Sequence, residues 1–165
     1  MLRLFLLSFC CILLISCEET PSKSEDIDDI MGLGNGGDFR GNAMGDNVTE
    51  VLAREDRNVV YNMPDEITCR IPLDMVDQTF YEVNYSFDEG ELNHIQLDLF
   101  PGSQEGVERL KTDFSAYYSK THESGNDSST WIARSSRGKD VAVRMTNRSQ
   151  IVGKPCLSIS FLEEK

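Results

Sequence analysis

The sequence predicts an α+β fold, an antiparallel sheet with two helices on one face, and three observations carry that prediction. Residues 79–87 and 95–99 alternate apolar and polar side chains around a glycine turn, the period of half-buried strands. Residues 103–120 space their apolar side chains for a helix instead. Strand-like segments then return, so strands come in runs and not singly between helices. The predicted order is helix, strands, helix, strands. It also fits a degenerate tandem duplication, without a residue-level repeat to accompany it.

Each element has a local reason. Asn47 is placed to cap a short helix, with Glu50 as its capping-box partner and Val48, Val51 and Leu52 on one face. Residues 58–61 and 67–73 read as extended around the Met63-Pro64-Asp65 turn, and Ile67, Cys69, Ile71 and Leu73 share one phase. Pro72 suits an edge strand or a strand end. In the hairpin, Thr79, Tyr81, Val83, Tyr85 and Phe87 face one way and Ile95, Leu97 and Leu99 continue that face. Between them, Asp88-Glu89-Gly90 predicts a three-residue type I turn with a bulge. Val107, Leu110, Phe114 and Tyr117 form the apolar stripe of the second helix, with Glu105 and Glu108 near its start and Lys120 near its end, matching the helix dipole. Beyond a polar loop at 125–129, strands are predicted at 131–135 and 141–145 around Arg137-Gly138-Lys139. A last one alternates Leu157, Ile159 and Phe161 with serines.

The chain begins differently. Arg3 precedes an apolar run from Leu4 to Ile15, and about 12 residues is signal-peptide length, short of the ~20 that span a bilayer. The run closes on Leu14-Ile15-Ser16-Cys17, which resembles the lipobox of bacterial lipoproteins. That resemblance implies cleavage before Cys17, diacylglycerol on its thiol and acylation, often by palmitate, of the new amine. Two or three acyl chains anchor stably where one does not. The expected organisation is a signal peptide at 1–16, an acidic and glycine-rich tether at 17–38, and one globular domain at 39–165. The expected location is the bacterial cell envelope, at the outer membrane, with the periplasmic or the surface face left open.

Charge narrows the partners. The chain carries 16 Lys and Arg against 28 Asp and Glu, a net −12. Nucleic acid, whose phosphates need Lys and Arg, is excluded as a partner, and direct docking on anionic lipid is disfavoured. Contact with the membrane is expected through the lipid anchor, and partners among envelope or extracellular proteins. Gly32, Gly34 and Gly37 satisfy G-x-G-x-x-G, yet acidic linker precedes them where a dinucleotide site needs a strand.

The search for chemistry returns no catalytic residue, no metal site and no cofactor. His94 lies on the polar phase of its strand and His122 just past a helix, neither with a second histidine at metal-ligand spacing. Arg134, Arg137, Lys139 and Arg144, with Arg148 close by, form a basic group on an acidic chain and are the candidate partner contact. Once the leader is gone and Cys17 is acylated, Cys69 and Cys156 remain, either bonded to each other or buried apart.

Gly45-Asp46-Asn47-Val48-Thr49-Glu50-Val51, at a helix start behind a lipobox, resembles the Gly-x-(Ser/Thr)-x-x-x-Val helix start of BamE-like (SmpA/OmlA) lipoproteins, whose fold is related to the β-lactamase inhibitor protein. That family has two helices before its sheet, where this sequence predicts one. The resemblance implies an envelope protein that acts by contact and not as an enzyme. The functional expectation is a lipid-anchored binding or structural module. The alternatives are an inhibitor or immunity-type lipoprotein that blocks an enzyme or toxin, and a small hydrolase.

Overall fold

The computed structural model describes residues 27–32, 36–55, 58–74, 79–121, 123–124 and 129–164, and the fold is α+β. Among the described residues eight strands form one antiparallel sheet: β1 (Val59–Met63), β2 (Glu66–Asp74), β3 (Thr79–Asp88), β4 (Glu91–Leu99), β5 (Glu123–Ser124), β6 (Thr130–Arg134), β7 (Asp140–Asn147) and β8 (Leu157–Glu163). Their order across the sheet is β1-β2-β3-β4-β8-β7-β6-β5. Two meanders therefore meet at a central β4–β8 seam, where Ile95 faces Phe161 and Leu97 faces Ile159.

Alternation along each strand becomes rows across the sheet. Ile67, Tyr85, Ile95, Phe161, Val143 and Trp131 lie in register on six neighbouring strands, and Cys69, Val83, Leu97, Ile159 and Met145 form the next row on that face. All of them are buried, and each large apolar side chain so buried contributes about 1.5–3 kcal/mol. Over these rows pack α1 (Ile27–Met31), α2 (Val48–Glu55) and α3 (Gln104–Thr121), which add Ile30, Met31, Val51, Val107, Phe114 and Tyr118 to the same core. A fourth helix, α4 (Ser149–Val152), buries nothing. Among the described residues the core is drawn from residues 27–161.

The predicted cap of α2 forms. Asn47 Oδ1 accepts from the Glu50 amide at 3.0 Å, and Glu50 Oε2 accepts from the Asn47 amide at 2.8 Å. Three expectations need correction. The tether does not run to residue 38: Ile30 and Met31, one helical turn from Ile27, are each 2% exposed inside it. In α3 the fully buried tyrosine is Tyr118, stacked on Trp131 at 5.2 Å, while Tyr117 is only partly buried. The β3–β4 turn has two residues, Glu89 and Gly90, at φ 54° and 86°, the pattern of a type I′ turn. That type matches the twist of its strands, and the bulge moves into the ladder at Ser86/Phe87.

Candidate functional site

The side of the sheet opposite α1, α2 and α3 is the candidate site. The pleat sends every second residue there, and the register lines these residues up. One row reads Thr68, Asn84, Gln96, Ser160, Arg144 and Thr130, and the next reads Arg70, Glu82, Asp98, Ser158 and Thr146. Every side chain in both rows is polar. Near one end, Phe80 and Phe100 pack at 5.2 Å, Lys154 Nζ sits 3.7 Å from the Phe100 ring centre, and the Arg70 guanidinium lies 4.8 Å from that of Phe80.

Hydrogen bonds fix the middle of this face without saturating it. Gln96 Nε2 donates to Asp98 Oδ2 at 2.9 Å, and Arg148 Nη1 pairs with the same oxygen at 3.3 Å. Asn84 Nδ2 donates to Glu66 Oε1 at 2.6 Å. Asn84 Oδ1 and Asp98 Oδ1 are buried acceptors with no partner among the described residues. Such atoms cost free energy until a donor reaches them, and two lie on one face. Arg144 and Lys154 make no ion pair among the described residues.

The basic group read from the sequence does not stay together. Arg137 pairs with the buried carboxylate of Asp46 and with Glu50, and donates to the Gly45 carbonyl at 3.3 Å. Lys139 holds Glu163 at 3.0 Å and Glu91 at 3.3 Å, and the bond to Glu163 raises its pKa. These two charges fasten the β6–β7 turn to the rest of the molecule. Arg134 meets Asp140 at 3.4 Å, both well exposed. Only Arg144 lies in the polar rows. His94 is half-buried on that same side of β4, and burial lowers its pKa.

Cys69 and Cys156 are both buried free thiols, so the bond left open by the sequence is not formed. β3 and β4 separate β2 from β8, roughly 14 Å at ~4.8 Å per strand, where a disulfide needs Cα atoms within about 7 Å. Burial pushes the Cys69 thiol up to about 12 and the Cys156 thiol up to about 11. Cys17 and His122 lie outside the described residues. Among the described residues no group of His, Cys, Asp or Glu could hold a metal ion.

On the helix side, the segment at 36–47 is locked by three carboxylates. Asp38 accepts from Ser135 Oγ at 2.5 Å and from the Ser136 and Met44 amides at 2.7 and 2.8 Å. Asp46 accepts from Arg54 at 2.7 Å and the Ala43 amide at 2.8 Å. Glu55, 1% exposed, accepts from the Tyr85 hydroxyl at 2.7 Å, Arg40 Nε at 3.0 Å and Asn42 Nδ2 at 3.4 Å. Gly37 makes the close packing feasible: its φ is +75°, and a Cβ there would fall 2.5 Å from the Gly41 carbonyl carbon. Between this segment, α3 and strands β6 to β8 lies a cavity of about 300 Å³.

Sequence reasoning missed Asn84, Gln96, Asp98 and Ser160 as a group, although their signal was present. They are the polar phase of the same strands whose apolar phase predicted the core, but which strands adjoin is set by long-range pairing. Comparison with protein-family models, with curated proteins and with solved structures finds no match to this chain.

Proposed function

We propose that this protein is a lipid-anchored component of the bacterial envelope that binds another protein on the open, polar side of its sheet, acting by contact and not by catalysis. The observation that carries this reading is the pair of registered polar rows with two unpartnered acceptors among them. Six strand spacings of ~4.8 Å and about seven residues of ~3.3 Å give a platform of roughly 650 Å². That is close to the ~800 Å² per partner of a standard protein interface. Arg144 and Lys154 offer unpaired cations, and Phe80 and Phe100 offer rings, the residue types that anchor such contacts. An inhibitor or immunity-type lipoprotein is one form of this role. The lipid anchor rests on the Leu14-Ile15-Ser16-Cys17 resemblance, and the strand order, one meander mirrored by the other across β4–β8, supports a tandem duplication.

The test is a photo-crosslinking residue at Gln96 or Ser160 in living cells, with Glu105 on α3 as control. A discrete adduct from both sheet positions, absent at Glu105 and weakened by Arg144→Glu, is expected. Absence of an adduct at both sheet positions removes the reading. Labelling with an alkyne fatty acid, lost in Cys17→Ala, checks the anchor separately.

A further inference from the structure

The two margins of the sheet differ. One is β5, two residues long and carrying Glu123, and short or charged edge strands resist further pairing. The other is β1, five residues long, bonded to β2 on one side and to no strand on the other among the described residues. From Asn58 to Pro64 the sequence holds no charged residue, and β1 itself holds no proline, so the usual guards of an edge are missing. Val60, Tyr61 and Met63 are 57%, 49% and 47% exposed, three of the six large apolar side chains left in the open among the described residues. An edge strand also turns unpaired N–H and C=O groups outward, a template for another strand.

Charge and pleat decide which strand fits. The chain carries a net −12, so two copies repel over most of their surface, and β1 is a neutral margin on which they can meet. A bulge displaces Val60 from the ladder with β2 and leaves Tyr61, Asn62 and Met63 regular, opposite Thr68, Ile67 and Glu66. Tyr61 and Met63 therefore share the open side of the sheet with Thr68 and Glu66. Two identical strands run antiparallel about a two-fold axis at Asn62 set Asn62 against itself and each Tyr61 against Met63 of the other copy. Both kinds of pair are uncharged, and a sulfur beside an aromatic ring is a favourable contact. We infer that β1 is a dimerisation edge, on which a second copy of this chain pairs antiparallel and joins the two sheets into one. The contact uses the same patch twice, so it closes at two copies. Its ladder is short, which puts it among the transient interfaces below ~1,200 Å². The inference is independent of the protein-binding reading, because pairing at the margin leaves the polar rows of both copies open.

The experiment uses the full chain in living cells, with two epitope tags marking two co-expressed copies and a photo-crosslinking residue in place of Val60. An adduct carrying both tags is expected. The same residue in place of Ile151, 77% exposed but on the other half of the sheet beyond β7, should give none. Asn62 is exposed, so its substitution disturbs no core. Asn62→Lys in both copies sets like charges face to face and should lower the adduct by about fivefold, as should Asn62→Asp in both. Asn62→Lys in one copy with Asn62→Asp in the other sets opposite charges together and should restore it, a rescue that a misfolded variant could not give. No adduct from Val60, an adduct with a different protein alone, or a two-tag adduct equally strong from Ile151 overturns the inference. So does a two-tag adduct that the like-charged variants leave unchanged, or that the mixed pair does not restore.

Discussion

Removing the Glu55 carboxylate tests whether the buried polar cluster holds the 36–47 segment to the sheet. In Glu55→Ala the Tyr85 hydroxyl and Asn42 amide lose an acceptor, and Arg40 keeps only its bond to the Tyr81 hydroxyl at 2.9 Å. Breaking a buried ion pair from one side costs about 3–5 kcal/mol. Arg40 retains 19% side-chain exposure and can turn partly to water, so the low end, about 3 kcal/mol, applies. With a urea m-value of about 2 kcal/mol/M, the unfolding midpoint falls by about 1.5 M at constant m. Glu55→Gln keeps the shape and one acceptor and should lose about half as much. Following the chevron of each variant in urea by Trp131 emission provides the assay. A midpoint shift below 0.5 M for Glu55→Ala, on the order of 1 kcal/mol at that m-value, would refute the claim that this cluster is a main fastening of the segment.

Two further perturbations follow from the same geometry. Glu89→Asn creates Asn-Gly in a two-residue turn whose first central residue sits at φ 54°, and should stabilise by about 0.5–1 kcal/mol, seen as a rise of about 3 °C in Tm. A fall in Tm would show that the Glu89 side chain matters more than its backbone. Alkaline pH should destabilise: burial raises the pKa of Cys69, Cys156, Tyr85 and Tyr118 in the fold, so the unfolded chain loses these protons first. Stability is therefore full below the unfolded thiol value near 9.0 and declines above it, each group adding a slope of about 1.4 kcal/mol per pH unit. The tyrosines steepen the decline above 10.0. A urea midpoint that falls by at least about 1 M between pH 8 and 11 is expected, and a flat profile would contradict the burial of these groups.

Much of the fold was legible where the physics is local. Alternation from Thr79 to Leu99 marked the hairpin, Asn47 and Glu50 marked a helix start, and Leu157, Ile159 and Phe161 were on one apolar phase. Helix α1 was not, because a single turn of Ile27, Ile30 and Met31 is submerged in acidic neighbours and is helical only when it has a core to cover. Asp46 and Glu55 were not singled out from the sequence for a related reason. Their partners include Arg137 and Tyr85, far along the chain, and no spacing rule connects them. The turn type at Glu89 depended on sheet twist. The candidate surface was hidden in plain view, since polar residues on alternating strands mean only solvent until the strand order is known.

The seam between β4 and β8 has a consequence for biosynthesis. Leu97 and Leu99 sit on an open edge until Leu157 and Ile159, far along the chain, pair with them. The first meander must wait through the making of α3 and three more strands with a sticky, unpaired margin. A nascent chain of this kind profits from a holding chaperone, and a truncation just before Leu157 would delete Leu157, Ile159 and Phe161 and split the sheet at its middle.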